Sequence, residues 1–90
     1  MMDITFSPEA SEDYAYWKGN NPLIVKRIKH LLTDMSAHPY TGIGKPEKLK
    51  HELSGKWSRR INSEHRNVYI VREIEHDIYI LALRYHYSKK

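Results

Sequence analysis

The sequence predicts an α+β domain, with an N-terminal strand and a two-helix hairpin packed on a mainly antiparallel, twisted sheet of four to five strands. Three observations carry that expectation. Apolar residues recur at helical spacing between residues 8 and 35, a proline- and glycine-rich stretch interrupts at 38–47, and from residue 56 onward the period drops to two. Helices gathered in one half of a chain and strands in the other bring the helices to one face of an antiparallel sheet. Ninety residues allow one core, hence a single domain over 1–90.

"DITF" (3–6) reads as a short strand stopped by Ser7-Pro8. Ser7 suits an N-cap, Pro8 the first helical position and Glu9 the positive end of the helix dipole. Ala10, Tyr14 and Trp17 make one apolar stripe, and Gly19 is placed to end the helix. Asn21-Pro22 opens a second helix by the same device, with Ile24, Ile28, Leu31, Leu32 and Met35 on its apolar side. "HPYTGIGKPE" (38–47) holds two prolines and two glycines, which predicts an ordered arm without regular structure.

Downstream, "KWSRRI" (56–61) alternates Trp57, Arg59 and Ile61 against Ser58 and Arg60. "RNVYIVRE" (66–73) and "DIYILALRYHY" (77–87) are rich in β-branched and aromatic residues and are joined by a short turn at 74–76. In the last run Tyr79, Leu81, Leu83, Tyr85 and Tyr87 form the wholly apolar set, which predicts that they face the helices. Ile78, Ile80, Ala82, Arg84 and His86 would then face away, unless a bulge intervenes near the strand end.

Lysine and arginine total 15 against 11 acids, a formal net charge of +4. Between Lys45 and Arg66 stand seven cations and three acids, a local excess equal to that of the whole chain, while the first 22 residues are net acidic. Such a segment suits a polyanionic partner and equally a solvated surface. With no cysteine there is no disulfide and no thiolate chemistry. No apolar run reaches the ~20 residues of a membrane span and no signal peptide opens the chain, so a cytoplasmic setting without membrane contact is expected.

No serine lies in a G-x-S-x-G turn, and the histidines at 30, 38, 51, 65, 76 and 86 lack metal-ligand spacing. No metal and no cofactor is expected. Glu47, Lys50, Arg59, Arg60, Arg66 and His86-Tyr87 remain as acid, base and cation groups. Metal-free RNA cleavage asks for those types: a base for the 2′-hydroxyl proton, cations for the phosphorane charge and an acid for the departing 5′-oxygen. Each residue also has an ordinary structural role open to it. Glu47 can be a loop carboxylate, Arg59 and Arg60 surface ion-pair partners, Trp57 core, and His86 a packed strand-end histidine.

"GIGKPEKLKHELSGKWSRRINSEHRNVYIV", the closing "RYHY" and the early S-x-E-x-x-x-D-Y-x-Y-W resemble the YoeB family of toxins, in the RelE/ParE superfamily of bacterial toxin–antitoxin systems. The resemblance runs nearly end to end. It implies a fold like that of RelE and the small microbial ribonucleases, and cleavage of messenger RNA in the ribosomal A site. It implies neutralisation by a YefM-type antitoxin and allows a homodimer. Carried over by position, the general base falls on Glu47, the charge-stabilising arginine on Arg66, the general acid on His86 and a functional aromatic on Tyr87. Lys50, Arg59 and Arg60 match basic residues around the RNA. ParE-like members of the superfamily offer the alternative, gyrase inhibition without ribonuclease chemistry. Here Ser88-Lys89-Lys90 follow the His-Tyr, so Tyr87 carries no free terminal carboxylate.

Overall fold

Ser7 ends one element and starts the next. Its hydroxyl oxygen accepts the Ala10 N–H at 3.0 Å and its O–H donates to the Leu81 carbonyl at 3.0 Å, so one side chain caps a helix and ties it to the last strand. The computed structural model describes residues 1–84. In chain order it contains β1 (Asp3–Phe6), α1 (Pro8–Asn20), α2 (Pro22–Ala37), β2 (Glu47–Lys48), β3 (Trp57–Arg60), β4 (Arg66–Arg72) and β5 (Asp77–Ala82), with one 3₁₀ turn at His51–Leu53.

Gly19 does not end α1, which continues through Asn20. The stop comes from Asn21, whose position before Pro22 excludes helical backbone and leaves it extended at φ −156°. Asn21 serves both helices. Its backbone N–H donates to the Trp17 carbonyl at 2.8 Å, and its side-chain oxygen accepts the Ile24 N–H at 3.3 Å. One residue between two helices forces the tight αα-hairpin that the sequence predicts.

The five strands form one sheet in the order β1-β5-β4-β3-β2. All neighbours are antiparallel except β1 and β5, which run parallel with Ile4 opposite Ile78 and Phe6 opposite Ile80. A parallel neighbour requires a crossover, and the helix hairpin begins it. Ile28, Leu31 and Met35 of α2 and Ala10 and Trp17 of α1 close over Tyr69, Ile78 and Ile80 in one core. Truncating a fully buried residue such as Leu31 to Ala would cost about 2–5 kcal/mol.

The expected facing of the last strand is corrected. Ile78 and Ile80 are fully buried against the helices, while Tyr79 and Leu81 are only half-buried. Tyr69 pairs with Ile80 but Val68 pairs with Ala82, so β5 carries an extra residue, Leu81. That bulge reverses the alternation, and Leu83 returns to the core with no exposure. Of the expected apolar set, Leu83 is the member that faces the helices among the described residues. β5 itself ends at Ala82, shorter than the 77–87 expected, and Tyr85, His86 and Tyr87 lie outside the described residues.

Candidate active site

Directly opposed residues in antiparallel strands share a face, so the registers sort the candidate side chains. Glu47 pairs with Ser58, Ser58 with Val68 and Val68 with Ala82, a row on the face away from the helices. Lys48, Trp57, Tyr69 and Ile80 make the neighbouring row on the helix face. Two residues beyond Ser58 and Val68, Arg60 and Arg66 oppose each other on the Glu47 face. Strand spacings of about 4.8 Å and rises of about 3.3 Å per residue set the Glu47 and Arg66 Cα positions roughly 12 Å apart. Long side chains from both can reach a group held between them, above the buried Ser58 and Val68.

The side chains at this face differ in how far they are committed. Glu47 and Arg60 are exposed, and Arg66 is half-buried. Arg66 Nη1 donates to the Asn62 carbonyl at 2.9 Å and to the His65 carbonyl at 3.2 Å, which anchors the guanidinium to the β3–β4 turn. Its Nε and Nη2 have no partner among the described residues. Arg60 is held through its backbone alone, its N–H donating to Gly44 O at 2.7 Å and its carbonyl accepting Arg27 Nη2 at 3.0 Å. Lys50 is exposed between β2 and the 3₁₀ turn, following the buried Leu49, whose N–H donates to Lys56 O at 2.9 Å.

Arg59 departs from the expectation of an RNA-facing cation. Its side chain is fully buried on the helix face, and its guanidinium is saturated. Nη1 donates to Asp34 Oδ2 at 2.7 Å and Ile43 O at 3.1 Å, Nη2 to His38 O at 2.6 Å and Thr41 O at 2.8 Å, and Nε to the Tyr69 hydroxyl at 3.1 Å. No donor is left for a phosphate. The guanidinium holds the Asp34 carboxyl below its ordinary range, with the Ile43 N–H acting the same way against partial burial. Burial pushes the Tyr69 phenol up, although Arg59 pulls the other way.

Sequence reasoning missed the groups that hold the chain as it leaves β5. The Leu83 N–H donates to Asp13 Oδ2 at 2.9 Å, and the Leu83 carbonyl accepts the Trp17 indole N–H at 2.9 Å. Arg84 stacks its guanidinium 3.7 Å above the Tyr16 ring centroid, and His65, next to Arg66, packs edge-on against Trp17 at 4.8 Å. The signal was present: Asp13 and Trp17 lie at i and i+4 on one face of α1. His86 and Tyr87 themselves lie outside the described residues. Among the described residues no group of three or more carboxylates and histidines could hold a metal ion, and no helix is long and apolar enough to cross a membrane.

A two-helix layer on one face of a five-stranded sheet, with arginines and a carboxylate projecting from the other, defines a small α+β domain. Residues 6–87 match the family described as YoeB-like toxin of bacterial type II toxin–antitoxin system. The chain is 49% identical over 86 residues to the toxin YoeB of Escherichia coli K12, covering 96% of this chain and all of that one. It is 49% identical to the YoeB of a Staphylococcus aureus dimer, with a TM-score of 0.86 over 96% of this chain and 98% of that one. Against the YoeB–YefM complex of the same organism the values are 50% and 0.85, over 97% and 99% of the two chains. The protein belongs to the YoeB-like toxins of type II toxin–antitoxin systems.

Proposed function

We propose that this toxin is a ribosome-dependent endoribonuclease of the cytoplasm that cleaves messenger RNA in the A site and thereby stops translation. The observation that carries the reading is the opposed pair Arg60 and Arg66, on the same sheet face as Glu47 and without a carboxylate partner among the described residues. Like charges directly opposed destabilise a sheet, so an arrangement of this kind is supported by a bound anion. A phosphodiester is the anion that uses all of the surrounding chemistry.

In this reading Glu47 takes the 2′-hydroxyl proton as O2′ bonds to phosphorus. The free Nε and Nη2 of Arg66 bind the non-bridging oxygens as charge accumulates on the phosphorane. The P–O5′ bond then breaks, His86 gives its proton to O5′, and the products are a 2′,3′-cyclic phosphate and a 5′-hydroxyl. Tyr87 orients the acid or the nucleotide beside it. Lys50 and Arg60 hold flanking phosphates, and every proton moves between protein and RNA without a metal.

The Staphylococcus aureus YoeB–YefM complex and YoeB dimer support a YefM-like antitoxin and a second copy of this chain as protein partners. An antitoxin segment rich in acids would cover the basic face, and association would slow as salt rises.

The deciding experiment is primer extension on messenger RNA from translating ribosomes, comparing wild type with Glu47→Gln and His86→Gln. A-site cuts made by wild type and lost in both variants are expected. A wild-type protein that leaves ribosomal messenger RNA intact and blocks gyrase supercoiling overturns the reading. Cleavage of a short naked RNA at high enzyme concentration should survive EDTA. Loss that zinc or manganese restores would overturn the metal-free chemistry.

A further inference from the structure

The buried Arg59 guanidinium is surrounded by the arm that leads to Glu47. Three of its nitrogen–oxygen contacts are to carbonyls of that arm, at His38, Thr41 and Ile43, and the Tyr69 hydroxyl that accepts from its Nε donates in turn to Pro39 O at 3.1 Å. Asp34 closes the circle by accepting both Arg59 Nη1 and the Ile43 N–H, the latter at 3.0 Å. All five guanidinium protons are used, in a fixed planar fork that no other side chain reproduces.

The arm needs such a hold. Gly42, Gly44 and Lys45 all have positive φ, at 120°, 81° and 52°, so it follows a path that an unconstrained chain would seldom keep. Gly42 presses against the same knot, since a Cβ there would lie 1.9 Å from Asp34 Oδ2. Downstream, β2 is two residues long and exposed, and among the described residues it is held by the pairs Glu47–Ser58 and Lys48–Trp57, with the Leu49 N–H bonded to Lys56 O just beyond it. An edge of that length has little stability of its own. The last tie before it is the bond from Arg60 N–H to Gly44 O, three residues ahead of Glu47.

Stability alone does not account for a fully buried guanidinium paired with the half-buried Asp34, because apolar residues of equal volume commonly serve as well or better in the interior. We propose that Arg59 is a positioning residue for Glu47: by gathering the 38–44 arm around its guanidinium it holds β2, and the carboxylate on it, at the reacting end of the sheet. The inference rests on the nuclease reading for its effect on cleavage and on the hydrogen-bond geometry alone for its effect on the arm.

Two variants test it from opposite sides. Arg59→Lys keeps the charge and loses the fork, and Gly42→Ala crowds Asp34 from an exposed position while leaving Arg59 in place. Single-turnover cleavage on saturating ribosomes should fall by about 10²-fold for Arg59→Lys, the cost of a small misplacement, with KM unchanged. In a Glu47→Gln background the same substitution should cost nothing further, because both changes remove one function. Hydrogen exchange should quicken at the Ile43, Leu49 and Arg60 amides while the Val71 amide in β4 keeps its wild-type protection. Gly42→Ala should give the same pattern, and it carries the test if Arg59→Lys does not fold.

Equal losses in the wild-type and Glu47→Gln backgrounds overturn the proposal, as does a raised KM with a flattened salt dependence, which would make Arg59 an RNA contact. If wild type cleaves no messenger RNA on ribosomes at all, the nuclease reading fails separately. Unchanged protection at Leu49 and Arg60 in both variants then overturns the positioning itself.

Discussion

Arg60 on β3 and Arg66 on β4 face each other directly across the sheet, and neither has a carboxylate partner among the described residues. The arrangement sets stability against binding. Arg60→Ala removes the repulsion without breaking a side-chain bond, so the folded state should hold its stability or gain about 0.2–1 kcal/mol at low ionic strength. The gain should shrink with added salt as screening takes over. Ribosome-dependent cleavage should weaken at the same time, and its salt slope should flatten by about one unit as a phosphate contact is lost. Urea unfolding at two salt concentrations, beside cleavage rates at subsaturating ribosomes, checks both halves; a less stable Arg60→Ala protein contradicts the first.

The proposed division of labour has a pH signature. A general base and a general acid acting together give single-turnover rates that rise and then fall with pH. Glu47→Gln should abolish the rising limb and His86→Gln the falling one, each at a cost of about 10²–10⁴-fold. Arg66→Ala should depress the whole profile without removing either limb, since a guanidinium stays charged throughout. A falling limb that persists in folded His86→Gln assigns the acid to another group.

Acid stability should depend on a carboxylate paired with the opposite end of β4 from Arg66. Asp77, at the start of β5, accepts both Arg72 Nε and Nη2 at 2.8 and 2.7 Å and the Thr5 hydroxyl at 2.8 Å. The Arg72 bonds lower its pKa from 3.8 to about 2. Because the folded value is the lower one, the contribution is complete above pH 4 and disappears as pH falls toward 2. Urea midpoints of wild type and Asp77→Asn should therefore differ at pH 7 and converge across that window. A constant gap down to pH 2 would locate the effect in packing instead of charge.

Trp17→Phe should separate the indole N–H from the ring. The Leu83 carbonyl would lose the indole donor while Leu83 itself stays buried, at a cost of about 1–3 kcal/mol. The edge-on contact with His65 can survive in the phenyl ring. Chemical denaturation measures the loss; an unchanged midpoint would mean that water or a rearranged neighbour satisfies that carbonyl.

Much of the fold was legible locally. The Ser7-Pro8 and Asn21-Pro22 caps begin both helices where the sequence predicts, because capping is decided within three residues. The helical stripe of Ile28, Leu31 and Met35 is the buried one, and the Gly/Pro stretch is the arm. Gly19 misled because the residue before a proline is a stronger stop than a glycine two positions earlier.

Alternation by itself divides a strand into two sets of side chains, and only the surface that packs on it decides which set is buried. That is why Ile78 and Ile80, rather than Tyr79 and Leu81, face the helices, and why one extra residue at Leu81 could turn Leu83 inward. The adjacent arginines divide for the same reason. Composition marked both as cations suited to phosphate, and their alternation put them on opposite faces. Tertiary structure made Arg60 a surface group and Arg59 a buried one, since the acceptors that compensate its charge come from Asp34, His38, Thr41 and Ile43, 16–25 residues earlier in the chain. The sequence by itself determined the elements and the chemistry available; the register and the long-range acceptors decided which of those groups can meet a substrate.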